Sequence, residues 1–156
     1  MNVDAVLEFV VMFFAGLLAG AEFIVCFGVR STITVLDEQP QIHLRQALIR
    51  RLRVLVPAVY VPTLLSAVAM TVLAGTDFGF WWRCVGLLAL LVWTVTTFVG
   101  TVPINKATLT WRPDAPPEDW RGIVRRWERL DAVRFWAAVT AFAFFLTAAL
   151  RLGGTP

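Results

Sequence analysis

The stretch AGLLAGAEFIVCF, residues 15–27, is apolar except at Glu22. A carboxylate in an apolar run is costly to bury unless something pairs with it. Glu22 therefore raises two questions: what surrounds this segment, and what does its carboxylate meet? Working outward, the apolar character extends over about 6–29, longer than the roughly 20 helical residues that cross about 30 Å of hydrocarbon. Three further stretches meet the same test, at about 54–74, 80–101 and 134–152. Backbone polar groups in lipid must be satisfied within the segment, so each is expected to be a helix. The composition agrees: 58% of the 156 residues are hydrophobic and 13% aromatic, with a mean hydropathy of +0.72, against about half apolar in a soluble domain. The expected fold is all-α: an integral-membrane four-helix bundle forming one domain over 1–156.

The opening MNVDAVLE lacks the basic region of a signal peptide, and the apolar run after it is too long for one. The first helix is expected to be retained. Pro40, just after Asp37 and Glu38, suits the first turn of a helix that continues to about residue 74. Pro116 and Pro117 ahead of Glu118 and Asp119 mark another start, with acid in its first turn, running to about 152. Helices 2 and 4 are thus expected to carry extensions at about 40–53 and 117–133. Each helix is then roughly 50 Å long at 1.5 Å per residue. AGTDFG, residues 74–79, reads as a tight turn, and Pro57 and Pro62 as kinks in helix 2.

Orientation follows from charge. All of the 14 Lys and Arg residues except Arg83 and Arg151 follow helices 1 and 3 or lead into helices 2 and 4. The positive-inside rule then puts the long connections and the extensions in the cytoplasm and both termini outside a multi-pass cell-membrane protein. Trp81 and Trp82 suit the outer interfacial belt. The bilayer is the expected partner and nucleic acid is not. Cys26 and Cys84 fall near opposite faces, so no disulfide is expected. The absence of Cys-x-x-Cys argues against a quinone-linked disulfide-forming enzyme.

Steps of three and four residues join Glu8, Met12, Ala15, Ala19, Glu22 and Cys26 on one stripe of helix 1. Gly16 and Gly20 form a G-x-x-x-G beside it, read as packing within the bundle or as the seam of a homo-oligomer. Glu22 at the bilayer centre would cost about 2.5–3.5 kcal/mol facing lipid, so it is expected to face the interior. There it neutralises an arginine, handles protons, or both. His43, Gln46, Arg50 and Arg53 share a stripe of helix 2, read as a solvated basic face, lipid-phosphate contacts, or part of a site. Trp120, Val124, Trp127, Asp131 and Arg134 share a stripe of helix 4 that should be covered, either by the start of helix 2 or as the wall of a pocket. Arg134 can pair with Asp131, and Glu22 with Arg50, Arg53 or Arg134. Charges desolvated together are what acid–base chemistry uses. No phosphate loop, dinucleotide fingerprint, Ser-His-Asp set or metal-spaced cluster is present. His43, the single histidine, leaves haem as the cofactor to consider, with no cofactor favoured.

Further along, TVPINKATLTWRPDAPPEDWRGIVRRWERLDAVR carries V-P-I-N (102–105), Trp111, the step ending at Trp120, R-R-W (125–127) and A-V-R (132–134). With A-G-A-E (19–22) and V-P (56–57), these resemble the anthrone oxygenase-like family of small four-helix membrane proteins. The family often has histidine before A-V-R; here Leu130 is followed by Asp131. The resemblance implies O2-dependent oxygenation of an apolar polycyclic aromatic of the anthrone type. Deprotonating such a substrate at carbon gives an anion that can react with oxygen without a metal. Glu22 or Asp131 would be the base, and Arg53, Arg134 and Asn105 would stabilise the oxyanion. Trp120 and Trp127, with Arg50, would hold the rings. A non-catalytic membrane binding subunit is the alternative. A small proton-coupled transporter is disfavoured by the one-sided charge and by the long Trp/Arg-rich connection.

Overall fold

The computed structural model describes residues 3–77 and 79–152. Phe78 of the AGTDFG turn and the extreme terminal residues lie outside the described residues. So does the side chain of Arg151, which the charge count had placed on the outer side.

Among the described residues the chain is all-helical, with no strand beyond one isolated bridge between Arg112 and Ala115. The first rod comprises α1 (Val3–Phe23), a π-helical segment (Ile24–Val29) and α2 (Arg30–Ile33). The second is α3 (Glu38–Leu73). The third comprises α4 (Phe80–Val95), a second π-helical segment (Thr96–Thr101) and α5 (Val102–Thr108). The fourth is α6 (Trp120–Leu152). Each rod is long and apolar enough to cross a membrane, with window hydropathies of 2.3, 1.8, 2.0 and 1.7. Between 28% and 39% of each apolar window is buried inside the bundle, so most of the apolar surface faces outward. A soluble protein does not leave that much contiguous apolar surface uncovered.

α3 and α6 are the longest helices, at 36 and 33 residues. The first and third rods run further than expected, to Ile33 and Thr108, because the wide π turns keep the chain helical through Gly28 and Gly100. α6 starts slightly later than expected: Glu118 and Asp119 stand ahead of its first turn, and the Asp119 carbonyl accepts from the Ile123 amide at 3.1 Å. α3 stays helical through Pro57 and Pro62. Cys26 and Cys84 are both free.

The first rod packs on α3 and α6, α6 packs on α4, and α3 packs less extensively on α4. The core between them includes Val11, Ala15 and Leu18 of α1, Ala67 of α3, Leu90 of α4, and Ala138, Ala141 and Phe145 of α6. Small residues on α6 let its neighbours approach. α4 approaches α6 closely at Gly86, where a Cβ would lie 2.5 Å from the Phe145 ring. The G-x-x-x-G divides: a Cβ on Gly16 would meet Phe142 at 3.3 Å, whereas Gly20 is exposed with nothing within 4 Å.

The α3–α4 turn is tied by Arg83, which is fully buried. It donates to the Gly75 carbonyl at 3.2 Å and pairs with Asp77. Gly75 adopts φ +62°, a conformation that strains residues with a Cβ. In the exposed α5–α6 connection, a hydrogen bond from Arg112 holds the Asp114 carboxyl below the usual range.

Gly86→Ala is expected to destabilise the bundle by about 1–3 kcal/mol through overpacking against Phe145. Gly20→Ala should leave stability nearly unchanged. Thermal unfolding of both variants in detergent checks the contrast; equal melting temperatures would contradict the close α4–α6 contact.

Candidate site around a buried carboxylate

Glu22 is 2% exposed near the end of α1, two residues before the first π-helical segment begins. Its Oε1 accepts a hydrogen bond from Trp93 Nε1 at 3.0 Å and pairs with Arg134 Nη2 of α6. The Arg134 guanidinium carbon lies 4.8 Å from the centre of the Trp93 ring. Trp93 also stacks on Tyr60 of α3, with ring centres 4.4 Å apart and planes 15° apart. The Tyr60 hydroxyl bonds Thr94 Oγ1. All four rods therefore meet at one level, each contributing a side chain to a single polar cluster.

Asp131 belongs to the same cluster. It is 1% exposed, and its Oδ1 lies 3.8 Å from Arg134 Nη1, an ion-pair distance rather than a hydrogen bond. One guanidinium thus serves two carboxylates. Several buried polar atoms find no hydrogen-bond partner among the described residues: Glu22 Oε2, both Asp131 oxygens, Arg134 Nε and Thr101 Oγ1. Buried polar groups in proteins are nearly always satisfied, so such a concentration marks a place that needs an explanation. Both π-helical segments begin within three residues of this level, after Glu22 and after Trp93. π turns recur at functional sites because they turn side chains out of the regular register. Beside these turns, Ser31 Oγ donates to Phe27 O at 2.9 Å, and Thr97 Oγ1 to Trp93 O at 2.8 Å.

A second tier lies towards the arginine-rich end. Trp127 Nε1 donates to Asn105 Oδ1 at 3.0 Å, and Arg45 lies 5.8 Å from the Trp127 ring. Arg45, Trp127, Ile49, Ile104 and Thr108 border a cavity of about 20 Å³, enough for one water molecule. Glu128, buried on α6, sits between Arg30 at 3.1 Å and Arg45 at 3.6 Å. Beyond it, Trp120 packs on Ile42 and Trp111, and Gln46 Nε2 donates to the carbonyls of Thr108 and Trp111, each at 3.0 Å.

Of the expected site residues, the structure brings together Glu22, Asp131 and Arg134. Asn105 and Trp127 sit together one tier away, and Trp120 two tiers away. Of the three arginines open to Glu22, Arg134 is its partner. Arg50 and Arg53 are exposed on α3, so the pairings of Glu22 with them are not formed. The expected His43–Gln46–Arg50–Arg53 stripe divides for the same reason: Gln46 is buried with Arg45, and the others face outward. His43, the haem-ligand candidate, is exposed, with Nδ1 3.1 Å from the Gln39 carbonyl. No group of three His, Cys, Asp or Glu residues is gathered as a metal site among the described residues.

Sequence reasoning missed Trp93, Tyr60, Arg45 and Glu128. Trp93 carried a signal: it is the one aromatic with a polar hydrogen in the middle of the third apolar run. Glu128 carried another, lying three residues before Asp131 on the same stripe.

Arg134→Met strands Glu22 in the core and is expected to cost about 3–5 kcal/mol. Glu22→Gln, which keeps an acceptor for Trp93, should cost less. Replacing both by leucine should recover most of the loss. Unfolding of the three variants in detergent checks the order; a wild-type melting temperature for Arg134→Met would show that the pair contributes nothing.

The anthrone oxygenase family model matches residues 46–144. No curated protein and no solved structure matches the chain.

Proposed function

Because the chain belongs to the anthrone oxygenase family, we propose that it oxygenates a flat, apolar polycyclic aromatic of the anthrone class with O2, using a membrane-embedded carboxylate as the base. The observation that carries this reading is Asp131. It is buried, with both oxygens free of hydrogen bonds among the described residues, beside a guanidinium that pairs with Glu22 and lies over Trp93.

The roles then divide. Glu22 holds Arg134 in place and offsets its charge. Asp131 takes a proton from the ring carbon that the substrate carbonyl acidifies. Arg134, whose Nε has no hydrogen-bond partner among the described residues, stabilises the negative charge that develops on that carbonyl oxygen. Arg53 is not used for this, because its side chain is exposed. The carbanion passes its electrons to O2 and a carbon–oxygen bond forms. The peroxide accepts a proton. Loss of the second proton from the same carbon then breaks the oxygen–oxygen bond. One oxygen atom stays as the new ketone and the other leaves as water, so atoms and electrons balance without an external reductant.

An apolar groove of about 500 Å³ runs between α4 and α6, bordered by Val85, Leu88, Val92, Val133, Trp136 and Thr140. Its size suits a small-molecule site. Val92 and Val133 are chain neighbours of Trp93 and Arg134, so the groove follows the outside of the wall whose inner face bears the cluster. A lipid-soluble substrate approaches here, and turnover requires the α4–α6 seam to part beside Ala132. The one-sided arginines support a cytoplasmic location for the end of the bundle that bears them, with both termini outside.

The test is O2 uptake and quinone formation from anthrone by the reconstituted protein, with one quinone expected per O2 consumed. Asp131→Asn should lower kcat by about 100-fold or more, the usual contribution of a positioned base, and leave the fold intact. Unchanged turnover in a folded Asp131→Asn protein would overturn the assignment.

A further inference from the structure

A second recess opens at the arginine-rich end, where α3 and α6 begin. It encloses about 310 Å³ and is bordered by polar and charged side chains, chiefly Arg45, Arg121, Arg125, Gln41, Glu38 and Glu128, with Trp120 and Leu36 as apolar edges. The carboxylates there are already committed. Glu38 pairs with Arg121 at 3.1 Å, and Glu128 lies between Arg30 and Arg45. The cations are not all committed. No ion pair or hydrogen bond engages Arg125 among the described residues. Arg45 is 6% exposed, yet its Nε and Nη2 find no hydrogen-bond acceptor among the described residues, and its ion pair with Glu128, at 3.6 Å, is too long for a hydrogen bond.

A buried guanidinium with idle donors is expensive, and it becomes favourable when an anion supplies the acceptors. Counting Arg30, four arginines surround two carboxylates, so the recess keeps a net positive charge. Guanidinium forks match the tetrahedral oxygens of phosphate. The recess also exceeds what isolated waters need, at about 30 Å³ each, and its apolar edge accommodates a carbon substituent beside the charged group.

We propose that this recess is a binding site for a phosphate group, with Arg45 as the inner ligand and Arg125 as the outer one. The site is separate from the Glu22–Asp131 cluster and does not depend on the oxygenase reading. Two sources share the chemistry: the phosphate of an anionic lipid and a free phosphate anion.

The experiment is titration calorimetry on the full chain in neutral detergent, with dihexanoyl phosphatidate and inorganic phosphate as probes. Saturable binding of at least one of them is expected. Arg125→Gln, at the exposed rim, should weaken it about tenfold, as expected for a charge-assisted hydrogen bond. Arg45→Lys, which keeps the charge but loses the fork, should weaken it as well. Arg51→Gln, an exposed arginine outside the recess, should change nothing. Binding of both probes supports a site for phosphate itself, and binding of phosphatidate alone supports a lipid headgroup site. The proposal is overturned if neither probe saturates. It is overturned equally if Arg51→Gln weakens binding as much as Arg125→Gln, since the attraction then belongs to the whole basic surface. Arg125→Gln binding at wild-type strength would remove the recess from consideration.

Discussion

The constraint on which this bundle turns is a charge that must not face lipid. Glu22 lies in an apolar run, and its carboxylate is tolerable only where a cation and a donor meet it. Arg134 and Trp93 supply those, and they come from different rods. Satisfying one carboxylate therefore fixes three helices in register, and Tyr60 stacked on Trp93 brings in the fourth. The apolar contacts around this level are numerous but interchangeable. A bundle held by alanine and leucine packing alone could slide by a turn at little cost. One held by a directed hydrogen bond and an ion pair cannot, because a slip of one turn parts Glu22 from both Arg134 and Trp93.

Much of the architecture was legible in the sequence because lipid leaves few options. Runs of about 20 apolar residues must be helices, and the prolines at 40, 116 and 117 marked starts close to where helices begin. The lengths of the first and third rods were not legible. Hydropathy registers where apolar residues end, whereas α2 and α5 continue through polar residues once the π turns keep the backbone wound. The candidate site was legible in part. Three- and four-residue steps put Asp131 and Arg134 on one face and Glu22 on another, but periodicity along a single helix does not say which arginine lies across from a given carboxylate. Arg134 was distinguished from Arg50 and Arg53 by tertiary packing. A lone Trp93 in an apolar run reads as bulk until its indole N–H is seen to point at an acceptor.

The bundle separates two kinds of polar surface. At the middle level the charges are few, buried and incompletely hydrogen-bonded, next to backbone that departs from regular helix on both sides. At the arginine-rich end they form a layered set, from the Arg30–Glu128–Arg45 group to the Arg121–Glu38 pair, closed over by Trp111, Trp120 and Ile42. Gln46 fastens the connection ahead of α6 through the carbonyls of Thr108 and Trp111. This second layer orients the long helices before they reach the middle level and leaves the cluster there free of any duty to anchor the loops.

The Glu22–Arg134 pair joins residues 112 positions apart, which sets a condition on biogenesis. The first helix leaves the ribosome and enters the bilayer long before its cation has been made. Its carboxylate must wait there against a chaperone or insertase, or near the headgroups. The last helix carries the arginine that meets Glu22, and it arrives only after the other three helices have been made. Assembly therefore ends with the pairing of the first and last segments. A chain cut short before α6 displays an unpaired charge in its first helix, a mark by which membrane quality control can tell an unfinished copy from a finished one.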